Sequence, residues 1–418
     1  MNLSISFACR AACGWLLVLT AHAADGTLTL DAAIERALRE APQVLSAQAS
    51  LDSAQELSTS AGRLPDPELI LGVDNLPITG PDRYSLTRDF MTMSKVGVMQ
   101  EIPAGAKRRL RADLASREAD VAEAQLRATR FEIASATAEA WIGAATSEEN
   151  LARLRALRRD LDTQSSAARA ALASGRSTAA EALSSESMLA QLDNQILELE
   201  QMLAMSRAEL SRWVGDDASN NLADLPWRRD LDVTPAALVE NVASHAPLAP
   251  VAARVEAAKT AVELARAEKR SDWSTELSYA KRGPDYSDMV SLEFRIGLPL
   301  FAKNRQNPAI ASKLASVRAA EAEEESAVRM HRAEIDGMAA TWRLGKSRLE
   351  HFEATLLPLA RDRTRAAISS YGAGRGELRA VLDAFRDEVD QQRQFVDLEG
   401  EVTRAWVFLH LLHSGGTP

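Results

Sequence analysis

Residues Met289-Val290-Ser291-Leu292-Glu293-Phe294-Arg295-Ile296-Gly297-Leu298 decide how this chain is read, because apolar and polar side chains alternate from Val290 to Ile296. In an extended strand Val290, Leu292, Phe294, Ile296 and Leu298 share one face, and Ser291, Glu293, Arg295 and Gly297 share the other. The stretch Trp273 to Lys281 behaves alike, with Trp273, Thr275, Leu277 and Tyr279 against Ser274, Glu276, Ser278 and Ala280. One face is oily and the other wet. Strands of about ten residues, with a Trp and a Tyr near opposite ends of the oily face, fit a membrane β-barrel with aromatic girdles. Glu276, Ser291, Glu293 and Arg295 would then face a water-filled lumen.

Working outward, the pattern repeats. Ala41-Pro42 returns as Ala246-Pro247, Gln100-Glu101-Ile102-Pro103 with Lys107 returns as Ile296-Gly297-Leu298-Pro299 with Lys303, and Ala173-Ser174-Gly175-Arg176 returns as Ala373-Gly374-Arg375. The spacing of about 200 residues marks a tandem repeat. Each copy reads as helix, two short strands, very long helix, turn, helix. In the first, a helix is expected from Leu30 to Gly62, strands at Glu68 to Asn75 and Ser94 to Ile102, a long helix over Gly105 to Ala173 and a returning helix over Ser177 to Trp213. In the second, a helix is expected over Thr234 to Arg270, the two strands quoted above, a long helix over Lys303 to Tyr371, interrupted at Pro308, Gly337, Gly345 and Pro358, and a returning helix over Glu377 to His413.

At 1.5 Å per residue a helix over Gly105 to Ala173 is about 100 Å long, more than a globular domain needs. Ordinary hairpins packed on a soluble core are the alternative for a single strand pair. Two equivalent pairs, each feeding such a helix, favour the membrane. Four strands cannot close a barrel whose smallest membrane forms have about eight, so the subunit must associate, and a cyclic trimer gives twelve. The expected fold is mainly α with a small β part.

The N-terminus carries Arg10, an apolar run from Ala11 to Leu19 and Ala21-His22-Ala23, the pattern of a secretory signal. The expected division is a signal peptide over residues 1–23, a first repeat over 24–225 and a second over 226–418. Both cysteines, Cys9 and Cys13, fall in that signal, so no cysteine chemistry is expected of the mature chain. With 49 Lys and Arg against 59 Asp and Glu the chain has a net charge of −10, which argues against nucleic acid as a partner.

The run Tyr371-Gly372-Ala373-Gly374-Arg375, followed by Ala380-Val381-Leu382-Asp383, resembles the turn and last-helix start of the TolC-like outer-membrane efflux proteins, and the likeness extends over the whole mature chain. Met91 to Pro103, with Lys107, Arg108 and Arg109 behind it, looks more like the branch serving heavy-metal pumps than the multidrug or protein-secretion branches. The resemblance implies a homotrimer with a twelve-stranded barrel among outer-membrane lipid, a helical periplasmic tunnel, and a tip docking on a periplasmic adaptor and an inner-membrane pump. Ser174, Gly175, Arg176, Gly372, Gly374, Arg375 and Gly376 would form the tip turns. Some relatives gate the tip with acidic rings. Here Asp383 keeps the second acidic position of the second copy but Ala380 occupies the first. Glu181 keeps the first position of the first copy, Ser184 takes the second, and Glu377 is a candidate substitute one turn before Ala380. A solvated helix face is the other reading of these acids.

No enzyme is expected. Phosphate-loop, nucleophile-elbow and His-Glu-x-x-His patterns are absent from the sequence. His245, His331, His351, His410 and His413 are scattered, and only the last two have helical ligand spacing. Neither a cofactor nor a resident metal is expected. Met91, Met93 and Met99 would offer thioethers to Cu(I) from a pore wall; a lipid-facing or loop position is the expectation. A periplasmic coiled-coil adaptor without a pore is the competing class.

Overall fold

The computed structural model describes residues 26–174 and 178–415; the signal sequence and the turn residues Gly175 and Arg176 lie outside them. In chain order the elements are β1 (Thr27–Leu28), α1 (Leu30–Glu40), α2 (Pro42–Ser60), β2 (Glu68–Asp74), β3 (Met93–Ile102), α3 (Gly105–Ala173), α4 (Ala179–Val214), β4 (Asn221–Leu222), α5 (Pro235–Glu240), α6 (Ala249–Ala267), β5 (Trp273–Lys281), β6 (Met289–Ile296), α7 (Gln306–His351), α8 (Leu357–Gly372) and α9 (Leu378–Ser414). The protein is mainly helical with a small sheet.

The long helix α3 runs unbroken for 69 residues, about 100 Å. Towards the sheet it packs on α2 and α6; towards its other end it packs on α4 and α9. Where the helices meet midway, Trp141, Ile142, Leu210, Leu248, Ile335, Leu409 and Leu411 form the largest buried cluster. A second cluster joins Leu154, Leu157, Leu161, Leu192, Leu378, Val381 and Phe385 nearer the turns.

Three helical expectations change for backbone reasons. The opening helix of the first copy is two helices, because Ala41 precedes Pro42 and adopts an extended conformation with φ −64° and ψ 121°. Its counterpart in the second copy is likewise divided: α5 stops at Glu240 and α6 begins at Ala249 with Pro250 in its first turn. The second long helix starts at Gln306, which puts Pro308 in a first turn where no N–H is needed, and it passes through Gly337 and Gly345 without a break. Its interruption comes at Pro358, ahead of which Phe352–Leu356 widen into a π-helical turn. The proline ring would strike the carbonyl four residues earlier, and π spacing relieves that clash.

Two short elements have no trace in the hydrophobic pattern. β1 pairs in parallel with β4, and the Trp141 indole N–H donates to the Leu28 carbonyl at 3.1 Å, tying the start of the described chain to the middle of α3.

The main sheet has the order β2-β3-β5-β6, antiparallel throughout, so β3 and β5 join the two copies. The register carries the alternation across all four strands. Leu71, Val96, Tyr279 and Val290 form one row, and Leu69, Val98, Leu277 and Leu292 form the next. All eight are exposed, Leu71 and Val290 by more than 70 %. An apolar face this large is not left to water in a stable soluble monomer. Among the described residues the outer strands β2 and β6 each leave one edge unpaired.

Candidate functional site

The opposite face of the sheet mixes charged and hydroxyl side chains with small and apolar ones in matching rows: Glu68, Met99, Glu276 and Glu293; then Ile70, Gly97, Ser278 and Ser291; then Gly72, Lys95, Ala280 and Met289. Three of the four expected wet-face residues are joined directly. Arg295 donates to Glu276 at 2.8 Å and to Glu293 at 2.7 Å, and Ser291 sits two residues along from Glu293 on the same face. Glu276 is almost wholly buried, with Lys95 2.5 Å from its other oxygen. Sequence reasoning missed Lys95, although its place between Ser94 and Val96 gives it the parity of a wet-face residue. Met93 and Met99 correct an expectation as well. They share the parity of Lys95 and so belong to the polar face, while Met91 lies in the loop before β3.

Where the sheet meets the helices, a lysine is held in place. Lys107 of α3 is 3 % exposed and donates to Asp272 at 2.7 Å, with Glu268 at 3.1 Å. Asp272 also accepts from the Ala104 N–H at 2.8 Å. Burial works against the Lys107 charge, but the bonds to Asp272 and Glu268 outweigh it and raise its pKa above the ordinary lysine value. This ion pair ties the first copy to the second at the foot of the sheet.

At the far end, Ser174 closes α3 with its N–H on the Ala170 carbonyl at 3.2 Å. Thr178 and Glu181 form a capping box on α4: the Glu181 N–H donates to the Thr178 hydroxyl at 3.2 Å, and the Thr178 N–H donates to the Glu181 carboxylate at 2.9 Å. The second turn uses glycine where the backbone demands it. Gly374 has φ +71°, and a Cβ at Gly376 would lie 2.8 Å from the Ser370 hydroxyl oxygen. Gly372 ends α8, and the Arg375 N–H returns to the Ser370 carbonyl at 3.0 Å.

Glu181, Glu377 and Asp383 come together in one groove between the starts of α4 and α9, with Arg379 and Arg386. Arg386 bonds Asp383 at 3.2 Å, and Arg379 approaches it to 4.0 Å. Two of the three carboxylates therefore already have a local role, Glu181 as a cap and Asp383 as an ion-pair partner. Exposed ion pairs of the kind that Asp383 makes contribute about 0–1 kcal/mol.

Two further features were invisible in the linear sequence. His245 and His331, 86 positions apart, meet with their ring nitrogens at 3.2 Å, and Glu334 holds the other His331 nitrogen at 3.1 Å. Burial, with His331 adding to it, pushes the His245 pKa down to about 4. Glu399 of α9 faces Arg153, Trp227 and Arg228 in a polar cavity of about 310 Å³ between α3 and α9. His410 stacks on Trp406 with centroids 4.9 Å apart. Among the described residues no three His, Cys, Asp or Glu side chains gather as metal ligands would.

The chain matches the family model for the outer membrane efflux protein over residues 33–216 and 238–413. Its fold is similar to solved outer-membrane channels at low sequence identity. The outer membrane protein VceC of Vibrio cholerae is 22% identical, with a TM-score of 0.77 over 93% of this chain and 96% of that one. The CmeC outer membrane channel of Campylobacter jejuni is 14% identical, with a TM-score of 0.78 over 100% of this chain and 94% of that one. The MtrE outer membrane channel of Neisseria gonorrhoeae, solved in its open state, is 14% identical, with a TM-score of 0.74 over 93% and 88%. The chain matches none of the curated protein sequences.

Proposed function

Because the chain belongs to the outer membrane efflux protein family, we propose that it is the outer-membrane duct of a tripartite pump, working as a homotrimer with a periplasmic adaptor and an inner-membrane transporter. The observation that carries this reading is the four-stranded sheet, apolar and exposed on one face, charged on the other and open at both edges, feeding α3, about 100 Å long, and α7, about 70 Å long. Open edges and an oily outer face are satisfied together when neighbouring subunits complete a barrel in lipid. The subunit supplies a water-filled path and no catalysis; the pump supplies the energy.

The proposed cargo is heavy-metal cations. Its support is the resemblance of Met91 to Pro103 to the metal branch, together with the carboxylates of the tip groove. In a trimer Glu181 and Asp383 form rings of three, and two such charges about 7 Å apart repel by roughly 2 kcal/mol at an effective dielectric of 20, enough to favour cations at a narrow entrance. One strain set tests both parts. Deletion of the gene is expected to sensitise cells to metal cations. In the purified channel, Glu181→Gln with Asp383→Asn is expected to lower cation selectivity and divalent block. Sensitisation to amphipathic drugs alone would contradict the cargo, and wild-type selectivity in the double variant would place these acids on a solvated outer face.

A further inference from the structure

The polar face of the sheet carries a charge balance that the tip does not explain. Among the described residues the register puts five carboxylates on it, Glu68, Asp74, Glu101, Glu276 and Glu293, and two cations, Lys95 and Arg295, a net charge of −3. The opposite face of the same strands has no carboxylate, and its one charge is Lys281 at the loop end of β5. The two cations are not spread evenly. Both converge on Glu276, Lys95 at one oxygen and Arg295 at the other, and Arg295 also holds Glu293 and reaches the Met99 sulfur at 3.4 Å.

Lys95 gets there along a diagonal. It pairs with Ala280, whereas Glu276 pairs with Met99, so its side chain crosses above Gly97 and Ser278. A Cβ at Gly97 would sit 2.7 Å from that of Ser278. The small residues keep the path clear. Buried beneath this contact, Glu276 is 3 % exposed, while Arg295 and Glu293 remain open to water.

We infer that the barrel wall, independently of the tip, favours cations, and that Lys95 is the residue that sets how strongly; this rests on the duct reading above. Lys95 and Arg295 mask two of the five carboxylates and leave the rest to the lumen. A conduit gains from such masking, because a wall that held cations tightly would slow their passage.

The test is the reversal potential of the purified full-length trimer in a planar bilayer under a KCl gradient. Lys95→Met unmasks Glu276 and is expected to raise the potassium-to-chloride permeability ratio by roughly twofold or more. Glu276→Gln frees Lys95 and is expected to shift the ratio the opposite way, while Lys95→Arg keeps the wild-type value. Should Lys95→Met fail to assemble, Glu276→Gln alone decides. Channels that conduct normally with unchanged ratios in the assembled variants would overturn this role for Lys95 and leave the duct intact. A wild-type trimer that carries no current would instead overturn the duct reading itself.

Discussion

Burial pushes the Glu399 carboxyl up to about 7, against the pull of Arg153 and a hydrogen bond with Trp227. Its pKa in an unfolded chain is about 4.3, so the native state binds the extra proton between those values, and the stability it confers is lost as pH rises through 7. The cost of ionising it in place is up to about 4 kcal/mol. Glu399→Gln is therefore expected to raise the melting midpoint at pH 8.5, with a gain that fades towards pH 5. A gain that is equal at both pH values, or a loss at pH 8.5, would contradict this account. His245 has the opposite sign. Its pKa is depressed to about 4, so its contribution is complete above the unfolded value of about 6.5 and is lost as pH falls towards 4. Neither group could be found from sequence spacing, because the burial that perturbs them comes from elements far away in the chain.

At the scale of elements, strand alternation was the most legible signal. The bounds expected for β5 and for α3 coincide with the structure, since the alternation of Trp273 to Lys281 and the proline-free run from Gly105 leave little competition. Breaks were harder, because a proline allows either a first-turn position, as at Pro308, or a widened turn, as before Pro358. Gly345, expected as an interruption of the second long helix, serves packing instead. A Cβ at Gly345 would come 2.4 Å from a Val402 methyl, so this glycine lets α7 approach α9 closely. Gly345→Ala is expected to destabilise the fold by about 1–3 kcal/mol, with Val402→Ala recovering part of the loss. Equal stability of wild type and Gly345→Ala in denaturant would mean the helices separate at no cost.

For the whole molecule, the two faces of the sheet could be read from one chain, because they follow from local periodicity. The meeting of Glu181, Glu377 and Asp383 in one groove could not, since it depends on how the two returning helices pack side by side. Nor could the masking of Glu276 by Lys95, which depends on the β3–β5 register. The central claim is that the unpaired edges of β2 and β6 and the oily face they border are completed by two further copies of the chain in the outer membrane. Fractionation followed by gel migration with and without heating tests it most directly. The account predicts a mature protein in the outer-membrane pellet, released only by detergent, that migrates as a trimer unheated and as a monomer after boiling. A monodisperse monomer recovered from the periplasm without detergent would contradict it.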